Sequence, residues 1–227
     1  MKTAAMKVEL IEHMGSDLSV TDAARVSFAK KSNWDWVDDA IGGHPVLSVN
    51  DARLIKYLAR EGHFTPFCHP HLTLRIKAPL FVARQLVKHQ VGGVWSEVSR
   101  RYVSDEPEFW FPEVWRGRPQ GSIKQGSSGV MPENAMWGNA AKEHVKSCLA
   151  WYESAIASGM APEQARMILP LNTHTEWVWT GSLMFFVRVC KLRLDQHAQA
   201  ETREIAEQIA EIVAPLFPVS WSALMEI

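Results

Sequence analysis

Hydrophobic and polar positions alternate along Lys7–Glu12 (KVELIE) and again along Leu72–Lys77 (LTLRIK), the period-two pattern of half-buried strands. Between them, Val20–Ala29 reads as a short helix with Ser19 or Thr21 as N-cap. Asn50–Arg60 reads as a second, capped by Asn50 and closed at Gly62. The Trp-, Gly- and Asp-rich run Lys30–Leu47 predicts a loop. Pro79–Val91 predicts a helix, with proline near its start and Gly92 past its end. Ser104–Met131, rich in Pro, Gly and Ser with scattered aromatics, predicts a long surface excursion. Helical spacing returns over Pro132–Ser158 and, briefly, over Pro162–Ile168. Thr173–Thr180 is aromatic and β-branched and is expected to be extended. Two further helices fall within Leu183–Lys191 and Gln196–Val213, with Pro215 and Pro218 limiting the last. Strands and helices do not alternate as regular βαβ units, so the class is α+β, expected as a single domain over residues 1–227.

Composition narrows the function. The formal net charge is only -1, which argues against a nonspecific nucleic-acid binder. No apolar run reaches the roughly 18 residues of a membrane span, and the N-terminus MKTAAMKVELIEHMGSD lacks the pattern of a signal peptide. Cys68, Cys148 and Cys190 are widely spaced and form no CxxC pair, so a reducing, cytoplasmic location is the expectation. The ten tryptophans suit a core and could also stack on a flat ligand.

Against this near-neutral background, Arg84–Tyr102 (RQLVKHQVGGVWSEVSRRY) gathers Arg84, Lys88, Arg100 and Arg101. On a helix, Arg84 with Lys88 and Gln85 with His89 would form one polar face. In an extended SEVSRRY, Glu97, Ser99 and Arg101 would share one side. A serine hydroxyl beside a guanidinium fork suits a phosphate. The plainer reading is a solvated, salt-bridged face. Arg166, just before an apolar run, is either a ligand contact or a surface arginine at a helix end. Arg193, His197 and Glu201 are spaced by four. If helical throughout, they share a face, as a proton shuttle, a metal site or a hydrogen-bonded structural cluster. His63, Cys68, His69 and His71 carry zinc-capable groups but match no closed four-ligand spacing; a loop turning polar groups toward a ligand is the other reading. Cys190, between Val189 and Lys191, is expected to be packed. There is no GxGxxG, Walker loop, GxSxG or HExxH.

Together these segments resemble the flavin-dependent thymidylate synthases. The signature of that family is Arg-His-Arg, seven residues, then Ser, with Glu two before and Arg two after; here Lys88-His89-Gln90 precedes Ser99 by eight residues, and Glu97 and Arg101 keep their places. FVARQ (Phe81–Gln85), AARVSF (Ala23–Phe28), HFTPFCH (His63–His69), ARMILPLNTHTEWVWT and LRLDQHAQ continue the likeness in order. The departures are Lys88 and Gln90 for arginines, one extra residue near Gly92–Gly93, Ser96 where Asn is common, and Cys68 where an acidic residue is frequent.

The resemblance implies a thymidylate synthase-complementing fold, with a central, mainly antiparallel sheet flanked by helices. It implies reductive methylation of dUMP to dTMP, with 5,10-methylenetetrahydrofolate as carbon donor, NADPH as reductant and FAD between them, and no cysteine nucleophile. It assigns dUMP to Gln85, Lys88, Glu97, Ser99, Arg101, Arg166 and Arg193, with Ser99, Arg101 and Arg166 around the phosphate. Arg193 would meet the uracil ring and act as the catalytic residue. FAD would contact Thr65, Lys88, His89, Gln90, Glu97, Ser182 and Arg188, with His63 near the flavin. A homotetramer with shared sites is implied, and no metal. The competing readings are a catalytically inactive nucleotide- or flavin-binding module and, more remotely, a metal hydrolase on His63, Cys68, His69 and His71.

Overall fold

The computed structural model describes residues 1–38, 42–103, 105–119 and 126–227. The described strands are β1 (Lys2–Thr3), β2 (Lys7–Met14), β3 (Asp35–Val37), β4 (His44–Val46), β5 (His71–Pro79), β6 (Gly93–Glu97), β7 (Glu108–Phe109) and β8 (His174–Ser182). The described helices are α1 (Asp17–Arg25), α2 (Val49–Arg60), α3 (Leu80–Leu86), α4 (Asn134–Ala157), α5 (Pro162–Ala165), α6 (Leu183–Arg193), α7 (Ala200–Leu216) and α8 (Pro218–Met225). The central sheet runs β2-β5-β8-β6 with every neighbouring pair antiparallel. That is the mixed, helix-flanked antiparallel architecture expected.

Alternation on β5 explains how the sheet divides. Leu72, Leu74, Ile76 and Ala78 are buried on one face beside Trp177 and Trp179 of β8. On the opposite face Thr73 meets Thr180, and Arg75 pairs with Glu176 at 3.0 Å. The helices α3, α6 and α7 lie over the apolar face. A smaller core of Phe109, Val145, Leu149, Tyr152 and Ala165 sits beneath α4.

Two glycines set how closely α6 approaches the sheet. Gly93 and Gly181 are cross-strand partners at one end of it. The ring of Phe185 rests against both: a Cβ on Gly93 would lie 2.4 Å from a ring carbon, and one on Gly181 2.3 Å. No real side chain fits there.

Several expected elements are redrawn by tertiary contacts. The helix expected over Pro79–Val91 stops at Leu86, because Pro79 still belongs to β5 and the chain must turn through Gly92 (φ +87°) to enter β6. The extended SEVSRRY also ends early. Beyond Glu97 the carbonyl of Ser99 accepts from the amides of Tyr102 and Val103, so Ser99 and Arg101 sit in a turn. Arg193, His197 and Glu201 share no helix face. The Asp195 carboxylate accepts from the His197 amide at 2.7 Å, and α7 begins only at Ala200. Pro215 lies inside the last turn of α7, and Pro218 opens α8, which the hydrophobic pattern did not separate.

At the N-terminal side, α1 starts at Asp17 rather than Val20, and the α2 cap is Ser48, whose Oγ accepts from the Asp51 amide, rather than Asn50. The loop expected over Lys30–Leu47 contains the β3–β4 hairpin; residues 39–41 lie outside the described residues. Of the Ser104–Met131 excursion, 104 and 120–125 lie outside them too. The described part supplies β7, parallel to β1, and pairs Arg116 with Val130.

These contacts have measurable consequences for stability. Gly181→Ala should destabilise the fold by about 1–3 kcal/mol through overpacking against Phe185, and adding Phe185→Leu should recover part of that loss. Urea unfolding checks both, and an unaltered midpoint for Gly181→Ala would contradict the contact. Buried Asp17 accepts from the backbone amides of Val219 and Ser220, each at 2.9 Å, at the start of α8. Asp17→Ala should therefore cost about 1–2 kcal/mol, the scale of a lost helix cap, read from the same experiment.

Candidate active site

The apolar run of α6 buries Leu183, Phe185, Phe186, Val187, Val189 and Cys190, and so delivers Arg193 to its last turn in a fixed direction. There Arg193 Nε donates to His89 Nε2 at 3.0 Å, and Nη2 donates to the backbone carbonyl of Gln85 at 3.1 Å. That carbonyl is in the last turn of α3, where helix geometry leaves it without an amide partner. A cation at a helix C-terminus is also favoured by the peptide dipoles. The guanidinium is therefore held by two acceptors, with part of its fork left for a ligand.

The contact fixes the state of His89. Because Nε2 accepts, the imidazole is neutral with its proton on Nδ1. Burial lowers the His89 pKa from its ordinary value, and the Arg193 charge lowers it further. Burial also draws the Arg193 pKa down, though a guanidinium keeps its charge at neutral pH. The Gln85 side-chain amide donates to Gln199, a residue that the four-residue spacing of Arg193, His197 and Glu201 skips.

A second group forms where β6 leaves the sheet. The Glu97 carboxylate accepts from Thr175 Oγ1 at 2.7 Å and from Trp95 Nε1 at 3.0 Å. Trp95 stacks on Trp177 with centroids 4.3 Å apart. Ser99 Oγ accepts from both the amide and Nε of Arg101, each at 3.3 Å, so hydroxyl and fork sit side by side. Arg166 lies in a short turn, its Nε donating to the Glu163 carbonyl at 3.3 Å. Arg166, Arg100 and Glu97 line one cavity of about 660 Å³.

A third group gathers around the turn before β5. His63 packs edge-on to Tyr57, and the Arg188 guanidinium lies 5.7 Å from the Phe64 ring centre. His63, Phe64 and Thr65 line a cavity of about 720 Å³. Lys88 and Gln90 are exposed and make no side-chain hydrogen bond or ion pair among the described residues. The buried Ser182 Oγ accepts from the Phe185 amide and so caps α6. Exposed aromatic rings beside cations and a hydroxyl make a donor set that fits an aromatic, phosphate-bearing cofactor such as FAD.

Register places these groups along the sheet. Gly93 opposite Gly181 and His71 opposite Ser182 put Gln90, Ser182 and the 63–65 turn near one end. Ser99, Arg101 and Arg166 lie near the other, where β8 begins. From Thr175 to Ser182 the strand covers about 23 Å at ~3.3 Å per residue. Among the described residues, no hydrogen bond or ion pair joins Ser99, Arg101 or Arg166 to Gln85, His89 or Arg193.

The cysteines sit in different parts of the molecule. Cys190 is fully buried, its Sγ near the Ala206 carbonyl, and burial pushes its pKa up to about 12. Cys68 contacts the Phe64 carbonyl, and Cys148 contacts His144 on α4. Among the described residues no three His, Cys, Asp or Glu side chains are placed to hold a metal, and no helix is long and apolar enough to cross a membrane.

Comparison with known proteins gives the family. Residues 9–219 match the family model described as thymidylate synthase complementing protein. The chain is 36% identical over 220 residues to the flavin-dependent thymidylate synthase of Thermus thermophilus, covering 96% of this chain and 75% of that protein. It is 34% identical over 219 residues to that of Thermotoga neapolitana, covering 96% and 90%. In structure it resembles the UMP/dUMP methylase PolB from Streptomyces cacaoi bound with 5-Br dUMP, with TM-score 0.84, 28% identity, and 100% and 98% of the two chains covered. The same methylase bound with 5-Br UMP gives a TM-score of 0.83 at 26% identity, over 98% and 95%. Fold and residue pattern thus define a mixed helix-and-sheet class with a helix-flanked antiparallel sheet. The chain belongs to the thymidylate synthase complementing family, that of the flavin-dependent thymidylate synthases.

The His89–Arg193 contact has a pH signature. Below the ordinary histidine value the unfolded chain binds a proton at His89 that the folded chain resists. This contribution to stability therefore shrinks as pH falls from that value toward the lowered one. NMR titration of the imidazole should show the depressed pKa, and Arg193→Gln should raise it. An ordinary value in both proteins would refute the contact.

Proposed function

We propose that the protein methylates dUMP to dTMP, with 5,10-methylenetetrahydrofolate giving the carbon, NADPH giving the electrons, FAD as the bound cofactor, and no cysteine nucleophile. The observation that carries this reading is the Arg193 guanidinium, oriented by His89 and by the Gln85 carbonyl in a chain of this family. Uracil C5 is a weak nucleophile. A fixed guanidinium against a ring carbonyl stabilises negative charge spreading over oxygen and N3, and enolate character then reaches C5. Burial pushes the Cys190 pKa up to about 12, so that thiol is not a nucleophile at neutral pH.

The remaining roles rest on the site's geometry and on the family resemblance. Gln85, Lys88, Glu97, Ser99, Arg101, Arg166 and Arg193 bind dUMP, the Ser99–Arg101 pair and Arg166 taking the phosphate. His63, Thr65, Lys88, His89, Gln90, Glu97, Ser182 and Arg188 hold FAD. When bound, FAD supplies the two-electron redox chemistry that side chains lack. Lys88 keeps a charge that the family signature carries as arginine but lacks the planar fork, and Gln90 removes one cation. Among the described residues, no hydrogen bond or ion pair joins the two groups of substrate-side residues. That separation supports a homotetramer whose sites are completed by neighbouring copies.

The test is NADPH oxidation with tritium release from C5-labelled dUMP, run with and without added FAD. Turnover is expected, and Arg193→Ala should lower it by about 100-fold or more while flavin remains bound. Arg166→Ala should chiefly raise KM for dUMP. A protein that binds dUMP and flavin but never turns over would instead be an inactive binding module. UMP belongs in the same assay, because the methylase resembled in structure is described as acting on UMP and dUMP; methylation of UMP in preference to dUMP would revise the substrate. Size-exclusion chromatography with light scattering should give four chains.

A further inference from the structure

The geometry points to a positioning relay, Arg116–Glu201–Gln199, that fixes which end of the Gln85 amide faces the nucleotide. It deepens the proposed function, since it rests on Gln85 binding dUMP. Arg116, in the segment after β7, pairs through Nη2 with Glu201 Oε1, and its Nε donates to Ser127 Oγ at 2.8 Å. The Glu201 side chain, on the first turn of α7, is 7% exposed and that of Arg116 31%, so the carboxylate end of the pair is largely shielded from solvent screening. The other oxygen, Oε2, accepts from Gln199 Nε2 at 2.9 Å. Gln199 Oε1 in turn accepts from Gln85 Nε2.

The direction of this chain is set at its ionic end. A carboxylate paired with a guanidinium only accepts, so Gln199 must turn its NH₂ toward Glu201. Its carbonyl oxygen then faces Gln85, and Gln85 must answer with its own NH₂. Gln85 Oε1 is left as an acceptor with no partner among the described residues. Arg193 already holds the Gln85 backbone carbonyl, so main chain and side chain are both fixed. An amide free to flip reads donors and acceptors alike. With its nitrogen engaged by Gln199, this one turns its oxygen toward a hydrogen-bond donor of the nucleotide, a sugar hydroxyl, since the proposed chemistry leaves ring N3 ionised.

Gln199 and Glu201 act through Gln85, and that separates positioning from a general structural role. In the FAD-loaded, full-length protein, Gln199→Leu and Glu201→Gln should raise KM for dUMP about tenfold, with kcat, flavin affinity and Tm within about twofold or a few degrees of the parent. Gln85→Leu should raise KM by at least as much, and Gln199→Leu added to it should do nothing more, since the residue it positions is gone. Independent, multiplying effects of Gln85→Leu and Gln199→Leu would overturn the relay, as would an unchanged KM in both Gln199→Leu and Glu201→Gln. If Gln199→Leu does not fold, the near-isosteric Glu201→Gln and Arg116→Met decide by the same KM criterion. The 2′,3′-dideoxy analogue of dUMP identifies the donor: its binding should no longer discriminate between parent and Gln85→Leu, and discrimination as large as for dUMP would overturn the donor assignment. Failure of the parent protein to bind dUMP at all would instead sink the functional reading beneath it.

Discussion

The Arg193 guanidinium is aimed by its surroundings, and the packing of α3 and α6 fixes its direction. Arginine has a long, flexible side chain, and a free one would lose considerable rotamer entropy on engaging a ligand. Here that ordering happens during folding. The apolar face of α6 pins the helix to the sheet, and the last turn of α3 offers Arg193 a carbonyl that needs a donor. His89 completes the hold because burial keeps it neutral and therefore an acceptor.

That arrangement depends on a close approach further up the same helix. Phe185 lies against Gly93 and Gly181 at distances no side chain would permit. Two glycines facing one another across β6 and β8 let α6 settle onto the sheet, with Trp95, Trp177 and Trp179 packed beside it. Trp95, Trp177 and Trp179 thus form a wall beside the polar cluster, with Trp95 also donating to Glu97. The bend after α6, held by the Asp195 carboxylate, then swings Gln199 and Glu201 toward Gln85 instead of continuing a helix past it.

Much of the architecture could be read directly. The alternation in β5 gave its faces, the aromatic and β-branched run gave β8, and the helical patterns gave α2, α4, α6 and most of α7; alternation located β2 but not its burial, which is confined to Val8. The signature around Ser99 and the ordered likeness along the chain pointed to the family. Errors cluster where a side chain from elsewhere settles a local choice. Ser48 rather than Asn50 caps α2. The start of α1 moves forward because Asp17 is drawn under α8. The Arg193–His197–Glu201 spacing looked like one helix face because the effect of Asp195 on the following backbone leaves no trace in periodicity. Arg116 sits in a segment with no periodic pattern at all, so its pairing with Glu201 was invisible.

The sequence alone determined the α+β class, the family and the residue types gathered around the signature. Those are properties of composition, spacing and order, which need no partner in space. Tertiary structure decided which of those groups meet. It put His89 and the Gln85 carbonyl on Arg193, made Ser182 a helix cap, and left Ser99, Arg101 and Arg166 unconnected to Arg193. The physical reason is that a hydrogen bond's partner, a carbonyl's unmet valence and a charge's burial belong to pairs of distant residues, and only the packed chain brings those pairs into being.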